Sequence, residues 1–338
     1  MRVLVTGATG FVGCHTAATL VNRGHEVRLL VRNPQRIERA LEPLGVSGLA
    51  YEVGDVTDPN AVGRAVDGCE AVVHAAAVFT LDRRRDDEMM HVNVRGTEIV
   101  MEAAVAAALD PIVYVSSVSA LFPPDAAPVG PDESVKSPRD AYARSKADAE
   151  RVVRRLQAEG RPITTVYPGA VWGPCDPTFG DGIRVIMSFV KRGIIPVTPG
   201  GMPVVDARDL AAVHAAALEP GQGPRRYMIG GTFLNNAELA DIIGSLTGRA
   251  MRKVYIPGPV ARGFGRFADA ARRIAGIDLG ITYEAALTLT RGVPCDDSGT
   301  EAGLGVRSRS VAETLADTLV WLYREGVLSR RQVGRLID

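Results

Sequence analysis

The stretch VLVTGATGFVG, residues 3–13, decides the fold class of this chain. Residues 3–5 form a short apolar run typical of a buried parallel strand, and the residues that follow the stretch keep the apolar spacing of a helix. Gly7 permits a tight turn, Gly10 lets the backbone approach a pyrophosphate, and Gly13 lets the helix pack against the strand. Although a glycine-rich turn is often only a turn, the flanking strand and helix predict a dinucleotide-binding unit.

Length, charge and cysteine spacing limit the kinds of protein that this chain can be. The chain has 338 residues, enough for one large core or two smaller ones, and its 39 basic residues balance 39 acidic ones. A balanced charge gives no attraction to nucleic acid. Because the sequence has no long apolar span and enters a strand at its start, we expect a cytoplasmic protein without a membrane span. The cysteines are far apart and lack metal-ligand spacing, so we expect no metal.

Strand-like runs alternate with helical patterns along the first half of the chain. The predicted strands are 26–31, 49–53, 71–74, 112–116 and 163–167, and the predicted helices are 58–67, 84–108, 140–158 and 181–192. This alternation predicts an α/β fold with a doubly wound parallel sheet, the Rossmann fold.

The alternation of strand and helix patterns becomes less regular from about Pro168, where Pro and Gly interrupt it. Further helices are predicted at 207–218, 236–247, 260–275 and 310–324. We expect a dinucleotide-binding domain over 1–167 and a smaller, mainly C-terminal substrate-binding domain over 168–338, with part of 205–230 returning to the sheet.

Arg32 follows the second predicted strand, at the position where a chain selective for NAD carries Asp or Glu. A guanidinium there can form paired, charge-assisted hydrogen bonds to a 2′-phosphate. We therefore expect NADP rather than NAD, with a merely solvent-exposed arginine as the alternative. After the third strand, Asp55 and Val56 would flank the adenine, and after the fourth, Ala75, Ala76 and Ala77 would let the cofactor ribose approach the backbone.

Tyr142 and Lys146 are four residues apart in AYARSK, a spacing that places both on one face of a helix. A free tyrosine has a pKa of about 10, so we expect the Lys146 ammonium to lower the pKa of the phenol. The chain otherwise uses Arg almost throughout, and a compact ammonium fits against ribose hydroxyls where a guanidinium would not. Ser117 ends the fifth strand, where active sites of such sheets open, and can donate to a substrate carbonyl; Ser116 and Ser119 are alternatives.

Taken together, these segments resemble the extended short-chain dehydrogenase/reductases, most closely the dihydroflavonol-reductase-like branch. The motifs that carry the resemblance are TGATGFVG, VRNP, GDVTD, VVHAAA, NVRGT, YVSSVSAL, YARSK, YPGAVWGP and TLADTLVWL. The resemblance implies Tyr142 as proton donor or acceptor, and Ser117 as the group that binds the reacting oxygen. It also implies that Lys146 holds the nicotinamide ribose and that Asn93 supports a proton relay.

The expected cofactor contacts combine the motif residues with this resemblance, which adds Pro168 and Gly169 beside the nicotinamide carboxamide. They are Gly7, Thr9, Gly10, Phe11, Val12, Gly13, Arg32, Asp55, Val56, Ala75, Ala76, Ala77, Tyr142, Lys146, Pro168 and Gly169. Many relatives dimerise through the helices that match 84–108 and 140–158, so the resemblance also implies a homodimer.

Three functions fit these residues. The expected one is an NADP-dependent oxidoreductase that acts on the carbonyl or secondary alcohol of a small apolar or aromatic molecule. A sugar epimerase or dehydratase that retains its cofactor is the alternative. Nucleotide-sugar members carry Asn where this chain has Tyr167, and an Arg-Asp-aromatic run where it has Met202-Pro203-Val204. A catalytically silent NADP sensor is the third reading, but such proteins usually lack the Tyr/Lys pair.

Several further segments bear on the substrate and on the surface of the protein. The Pro-rich loop 120–139, the stretch 174–184 and the C-terminal helices are expected to determine the substrate. The segment 260–275 is basic and amphipathic, with arginines between Phe264, Phe267 and Ile274. We expect it to pack on the small domain rather than to dock on a membrane.

Overall fold

Seven parallel strands form the central sheet of the computed structural model, which describes residues 1–80, 83–125, 127–275 and 282–337. The strands are β1 (Arg2–Thr6), β2 (Glu26–Val31), β3 (Ala50–Val53), β4 (Ala71–His74), β5 (Ile112–Val115), β6 (Ile163–Pro168), β7 (Ala170–Trp172), β8 (Ile194–Val197), β9 (Gly201–Asp206), β10 (Arg225–Ile229), β11 (Thr232–Asn235) and β12 (Arg252–Tyr255). The central sheet has the order β3-β2-β1-β4-β5-β6-β10. This is the predicted Rossmann topology, with its switch point between β1 and β4.

Helices cover both faces of this sheet and continue through the second half of the chain. They are α1 (Phe11–Asn22), α2 (Arg36–Leu41), α3 (Pro59–Val66), α4 (Asp86–Met90), α5 (Gly96–Ala106), α6 (Ala141–Ala158), α7 (Asp181–Arg192), α8 (Ala207–Ala216), α9 (Asn236–Thr247), α10 (Gly258–Ala275), α11 (Tyr283–Arg291), α12 (Ser298–Leu304), α13 (Val311–Arg324) and α14 (Arg330–Val333). Among the described residues, no helix is both long enough and apolar enough to cross a bilayer.

The middle strands of the central sheet, β1, β4 and β5, are buried on both faces, which explains why they are almost continuously apolar. In β1, Val3 and Val5 belong to one core with residues of α1 and α8. Leu4 points the opposite way and belongs to a second core with residues of α3, α5 and α6. The register pairs Val5 with Leu29 on one side and with Val73 on the other. Strand alternation therefore supplies two hydrophobic layers from one apolar run.

The predicted helix over 84–108 is present over 83–106, but it is not a regular α-helix. A 3-10 turn at Arg83–Arg85 precedes α4, and a π-helical turn at His91–Arg95 separates α4 from α5. Asn93 lies in the wide turn and is buried, because its side chain hydrogen-bonds groups outside the helix. Such π turns are frequent at functional sites.

The residues after β6 build two small sheets, with strand orders β11-β9-β7 and β12-β8. Residues of α7, α9 and α13 form a separate hydrophobic core beside them. β10 instead returns to the central sheet and pairs with β6. The domain boundary at 167/168 stays a prediction.

Candidate active site

The predicted site residues come together because they follow successive parallel strands. Gly7 comes after β1, Arg32 after β2, Asp55 shortly after β3, and Ala75 after β4. Ser117 follows β5 in the same way. Because the carboxyl ends of parallel strands meet at one edge of a sheet, these residues lie along the same edge, on both sides of the switch point.

The glycine turn leaves room for a ligand at one position and is closed at the others. Gly7 has φ +78°, and a Cβ there would lie 2.7 Å from Cα of Ala76. A Cβ at Gly13 would lie 2.2 Å from the carbonyl oxygen of Gly7. A Cβ added at Gly10 would have one described atom within 4 Å, the carbonyl oxygen of Gly7 at 3.4 Å.

Gly10 also precedes the first residue of α1, where the free N–H groups and the positive end of the helix lie. Thr9, Phe11 and Val12 beside it are half-buried. A backbone cradle open at a helix N-terminus fits the diphosphate of a dinucleotide.

Arg32 and Asp55 form an ion pair across the ends of β2 and β3. Nη1 of Arg32 lies 3.7 Å from Oδ2 of Asp55, and the Arg32 side chain is 59% exposed. Oδ1 of Asp55 accepts hydrogen bonds from the backbone and hydroxyl of Thr57, which orients the carboxylate. Val56 is buried beside Gly96, where a Cβ would contact its side chain.

Tyr142 stands in the first turn of α6, which begins after Asp140. Oδ1 of Asp140 accepts hydrogen bonds from the backbone N–H groups of Tyr142 and Ala143, at 3.0 and 3.2 Å. This cap fixes the first turn of the helix. The half-buried phenol lies beside the Ser117 side chain, whose Oγ accepts a hydrogen bond from the Ser119 N–H at 3.2 Å. The ring of Phe79 meets Tyr142 edge-on, with centroids 4.7 Å apart.

The pKa of Tyr142 does not follow the expectation. Burial raises it, and the neighbouring Ser117 hydroxyl offsets only part of the increase. The expected lowering by Lys146 is not seen, and Lys146 Nζ donates to the carbonyl oxygen of Val115 at 3.0 Å. Burial also lowers the pKa of Lys146 to about 8, opposed by the nearby Glu150 carboxylate.

Glu150, one helical turn beyond Lys146, was not singled out from the sequence. It is fully buried and accepts hydrogen bonds from Ser116 Oγ (2.8 Å), Tyr167 Oη (2.5 Å) and Arg154 Nε (2.9 Å). Burial raises the pKa of its carboxyl group, and these three partners oppose that shift. Because the Ser116 hydroxyl donates to Glu150, Ser117 is the serine directed at Tyr142.

Asn93 connects the loop after β4 with the helix that carries Tyr142. Its Nδ2 donates to the carbonyl of Val78 and to Ser145 Oγ, both at 2.9 Å, and its Oδ1 accepts from the Val78 N–H at 2.7 Å. The loop also carries Phe79, which is 53% exposed beside the phenol. Asn93 therefore holds Phe79 and α6 in a fixed relation, while its part in a proton relay stays a prediction.

The segments expected near the nicotinamide and the substrate lie on neighbouring elements. Pro168 ends β6 and is buried, and Gly169 is so close to the next strands that a Cβ there would lie 2.6 Å from the carbonyl oxygen of Pro203. In the loop 120–139, Lys136 Nζ contacts Asp125 (2.6 Å) and Glu133 (2.9 Å). Ala126 of this loop lies outside the described residues. Across the described ranges, no three His, Cys, Asp or Glu side chains are grouped to hold a metal ion.

Comparison with known proteins agrees with this geometry. Residues 3–230 match the family model described as "NAD dependent epimerase/dehydratase family". The chain is 28% identical to "Sterol demethylase protein B" of Methylococcus capsulatus, over 97% of this chain and all of that protein. It is 27% identical to a "Putative dihydroflavonol 4-reductase" of Synechocystis, over 95% and 94% of the two chains.

A solved structure extends the similarity to the whole fold. The protein described as "Crystal structure of gox2253" is 28% identical, with a TM-score of 0.83 over 97% of this chain and 99% of that one. The family match covers well over half of the chain and includes the glycine turn, Ser117, Tyr142 and Lys146. The chain therefore belongs to the NAD dependent epimerase/dehydratase family, as an enzyme of the extended short-chain dehydrogenase/reductase type.

Proposed function

We propose that this protein is an NADP-dependent oxidoreductase that interconverts a ketone and a secondary alcohol on a small apolar or aromatic molecule. The observation that carries the proposal is the arrangement around Tyr142, whose phenol lies between the Ser117 hydroxyl and the exposed ring of Phe79. The Ser117 hydroxyl can hydrogen-bond a carbonyl oxygen, and the Phe79 ring can pack against an apolar substrate. A bound nicotinamide supplies the hydride for this chemistry.

The chain's own residues supply binding and proton transfer. In the reducing direction, Ser117 and Tyr142 hydrogen-bond the substrate oxygen, and Tyr142 donates a proton to the alkoxide as it forms. Lys146 lies one helical turn from the phenol and is buried, so its charge acts in a medium of low dielectric constant. The ammonium would hold the nicotinamide ribose, and solvent replaces the proton that Tyr142 gives up.

The substrate is proposed to be a rigid, apolar ring system. Phe79 exposes half of its side chain at the phenol, and Asn93 fixes the loop that carries it. An aromatic ring at this position stacks on flat or apolar substrates at little conformational cost. The names of the two curated relatives, which mention a sterol and a dihydroflavonol, support this substrate class.

NADP is proposed over NAD because of Arg32. Its exposed guanidinium lies at the end of β2 and is 3.7 Å from Asp55, a contact long enough to be exchanged for a 2′-phosphate. Gly7, Gly10 and Gly13 would hold the diphosphate, and Ala75–77 would lie against the ribose.

A nucleotide-sugar substrate is disfavoured by Tyr167. The Asn that binds such substrates in related enzymes is replaced by this tyrosine, which is fully buried and donates to Glu150. Tyr167 therefore offers no polar group to a nucleotide diphosphate. Each missing charge-assisted hydrogen bond weakens binding by about 1.5–3 kcal/mol.

The test is a substrate screen that follows nicotinamide absorbance with NADP(H) and NAD(H) in parallel. Dihydroflavonols, hydroxysteroids, ketosteroids and simple aromatic ketones form one arm, and UDP-glucose and UDP-galactose form the other. We expect net oxidation or reduction in the first arm, with NADP(H) preferred, and neither binding nor turnover in the second. Interconversion of the two sugars without net cofactor change would overturn the proposal in favour of an epimerase.

A further inference from the structure

Four large apolar side chains form an exposed stripe along α10. Val260, Phe264, Phe267 and Ile274, called here the α10 stripe, are 58%, 49%, 60% and 81% exposed. Their spacing of four, three and seven residues keeps them on one side of a helix. The two phenylalanine rings are neighbours, with centroids 6.3 Å apart. Contiguous exposed apolar side chains of this size mark an interaction surface.

The helix packs on the rest of the protein through a different face. Ala261 and Ala268 are buried, and a Cβ at Gly265 would lie 2.8 Å from the carbonyl oxygen of Thr282, next to the first residue of α11. Small side chains therefore bring α10 and α11 together. As expected, the segment 260–275 packs on the C-terminal half of the chain, but the contact is made by small residues, and Phe264, Phe267 and Ile274 are exposed.

The charges around the stripe have one sign. The segment 258–275 contains four arginines and a single acidic residue, Asp269. Asp269 is turned to α11, where its Oδ2 accepts a hydrogen bond from the N–H of Tyr283 at 3.1 Å. Arg273 is exposed, and Arg266 is exposed but lies over the Tyr283 ring of α11, with its guanidinium carbon 4.8 Å from the ring centroid. Nη1 of Arg262 donates to Thr290 Oγ1 at 3.0 Å, and the Arg272 side chain lies outside the described part of the chain. The solvent side of α10 is thus apolar and cationic.

We propose that the α10 stripe docks on the surface of an anionic lipid bilayer, with the helix in the plane of the interface. Aromatic and aliphatic side chains beside arginines have the complementarity that such a surface requires, since the rings enter the acyl boundary and the guanidinium groups contact lipid phosphates. A second copy of this chain is a poorer occupant. In a twofold interface the same patch meets itself, so arginine would face arginine. The proposal does not depend on the proposed reaction.

Flotation with lipid vesicles tests this proposal. The full chain is mixed with vesicles of phosphatidylcholine alone or of phosphatidylcholine with phosphatidylglycerol, and the bound fraction is measured at low and high salt. We expect binding to the anionic vesicles that weakens with salt. The double variant Phe264→Gln/Phe267→Gln should bind at least about tenfold more weakly, and Arg266→Gln/Arg273→Gln should lose about fivefold per arginine.

Matched controls lie on the other side of the fold. Tyr51→Gln removes an aromatic side chain of similar exposure from β3, and Arg36→Gln/Arg39→Gln removes the same charge from α2. Both should bind vesicles like the wild type. A separate variant, Phe267→Trp, should show blue-shifted emission with anionic vesicles only. The proposal is overturned by absence of vesicle binding, by equal losses in the controls, or by a dimer that the Phe264/Phe267 variant alone dissociates.

Discussion

Burial acts in opposite directions on the two residues that carry the proposed chemistry. It raises the pKa of Tyr142 and lowers the pKa of Lys146 to about 8, because a low-dielectric site disfavours the charged form of each. Each residue has a polar partner nearby, Ser117 for the phenol and the Val115 carbonyl for the ammonium. The site therefore holds two groups whose ionisation is costly, an arrangement common at catalytic positions.

Tyr142→Phe should remove the proton donor and leave the fold intact. The substitution deletes one hydroxyl and keeps the ring, including its edge contact with Phe79. We expect kcat to fall by about 10²–10⁴-fold, as for the loss of a general acid. Cofactor affinity, measured by calorimetry, should change little. Near wild-type turnover in this variant, with cofactor still bound, would refute the assignment of Tyr142.

Lys146→Met should increase stability while it abolishes turnover. The ordinary lysine pKa of 10.5 applies to the unfolded chain, against about 8 in the folded protein. Below pH 8 the folded state bears the full cost of a buried charge, so the wild type is least stable there relative to the variant. Between pH 8 and 10.5 the unfolded state binds more protons, and wild-type stability rises with pH.

The variant also loses the hydrogen bond from Lys146 to Val115. With that loss included, we expect its free energy of unfolding near pH 7 to exceed that of the wild type by about 1–2 kcal/mol. Urea unfolding of both proteins from pH 7 to 10 measures the difference, which should narrow as pH rises. Lys191→Met, at an exposed position of α7, is the control and should show no such trend. A gain for Lys146→Met that does not depend on pH would contradict this account.

Arg32→Ala should lower the affinity for NADP(H) by roughly ten- to a hundredfold and change the affinity for NAD(H) much less. A charge-assisted contact contributes about 1.5–3 kcal/mol, and the variant also frees the Asp55 carboxylate to repel a 2′-phosphate. Calorimetric titration of both cofactors checks the prediction. Arg36→Ala, an exposed arginine of α2, is the matched control. Equal affinity of the wild type for the two cofactors would make Arg32 a simple surface charge.

At the scale of elements, two helical glycines should respond to alanine in opposite ways. A Cβ at Gly13 would lie 2.2 Å from the Gly7 carbonyl oxygen, so α1 and the turn must separate. We expect Gly13→Ala to cost about 1–3 kcal/mol of stability and most cofactor affinity. In α3, a Cβ at Gly63 would meet no described atom within 4 Å, and Gly63→Ala should stabilise by about 0.5–1 kcal/mol. Thermal unfolding of the two variants compares them directly, and similar destabilisation in both would be inconsistent with the packing described.

The sequence predicts the elements better than their irregularities. Apolar spacing predicts β2, β4 and α7 with their observed bounds. It misses the π turn at His91–Arg95, because that break depends on hydrogen bonds from Asn93 to Val78 and Ser145, which are distant in sequence. Periodicity also cannot tell which face of α10 packs, because small residues, not large apolar ones, make that contact.

At the scale of the molecule, the site is predictable wherever it follows the sheet. Residues at the ends of parallel strands must meet at one edge, so Gly7, Arg32 and Ser117 can be grouped without a structure. The same rule does not predict that Phe79 and Glu150 belong to the site. The loop that carries Phe79 has no motif, and only the structure shows that Glu150 is fully buried with three hydrogen-bond donors around it. The four-residue spacing from Lys146 to Glu150 was the one signal that could have identified it.

In the proposed reaction, hydride leaves the cofactor and stays on the product, with Tyr142 as the acid. Isotope tracing tests it most directly: the protein is given NADPH carrying deuterium at the transferable position, together with the ketone that the screen identifies. We expect deuterium on the carbinol carbon of a released alcohol, an equal amount of NADP⁺, and a strongly slowed transfer in Tyr142→Phe. Deuterium that remains on the cofactor while a substrate inverts its stereochemistry would contradict it and indicate an epimerase.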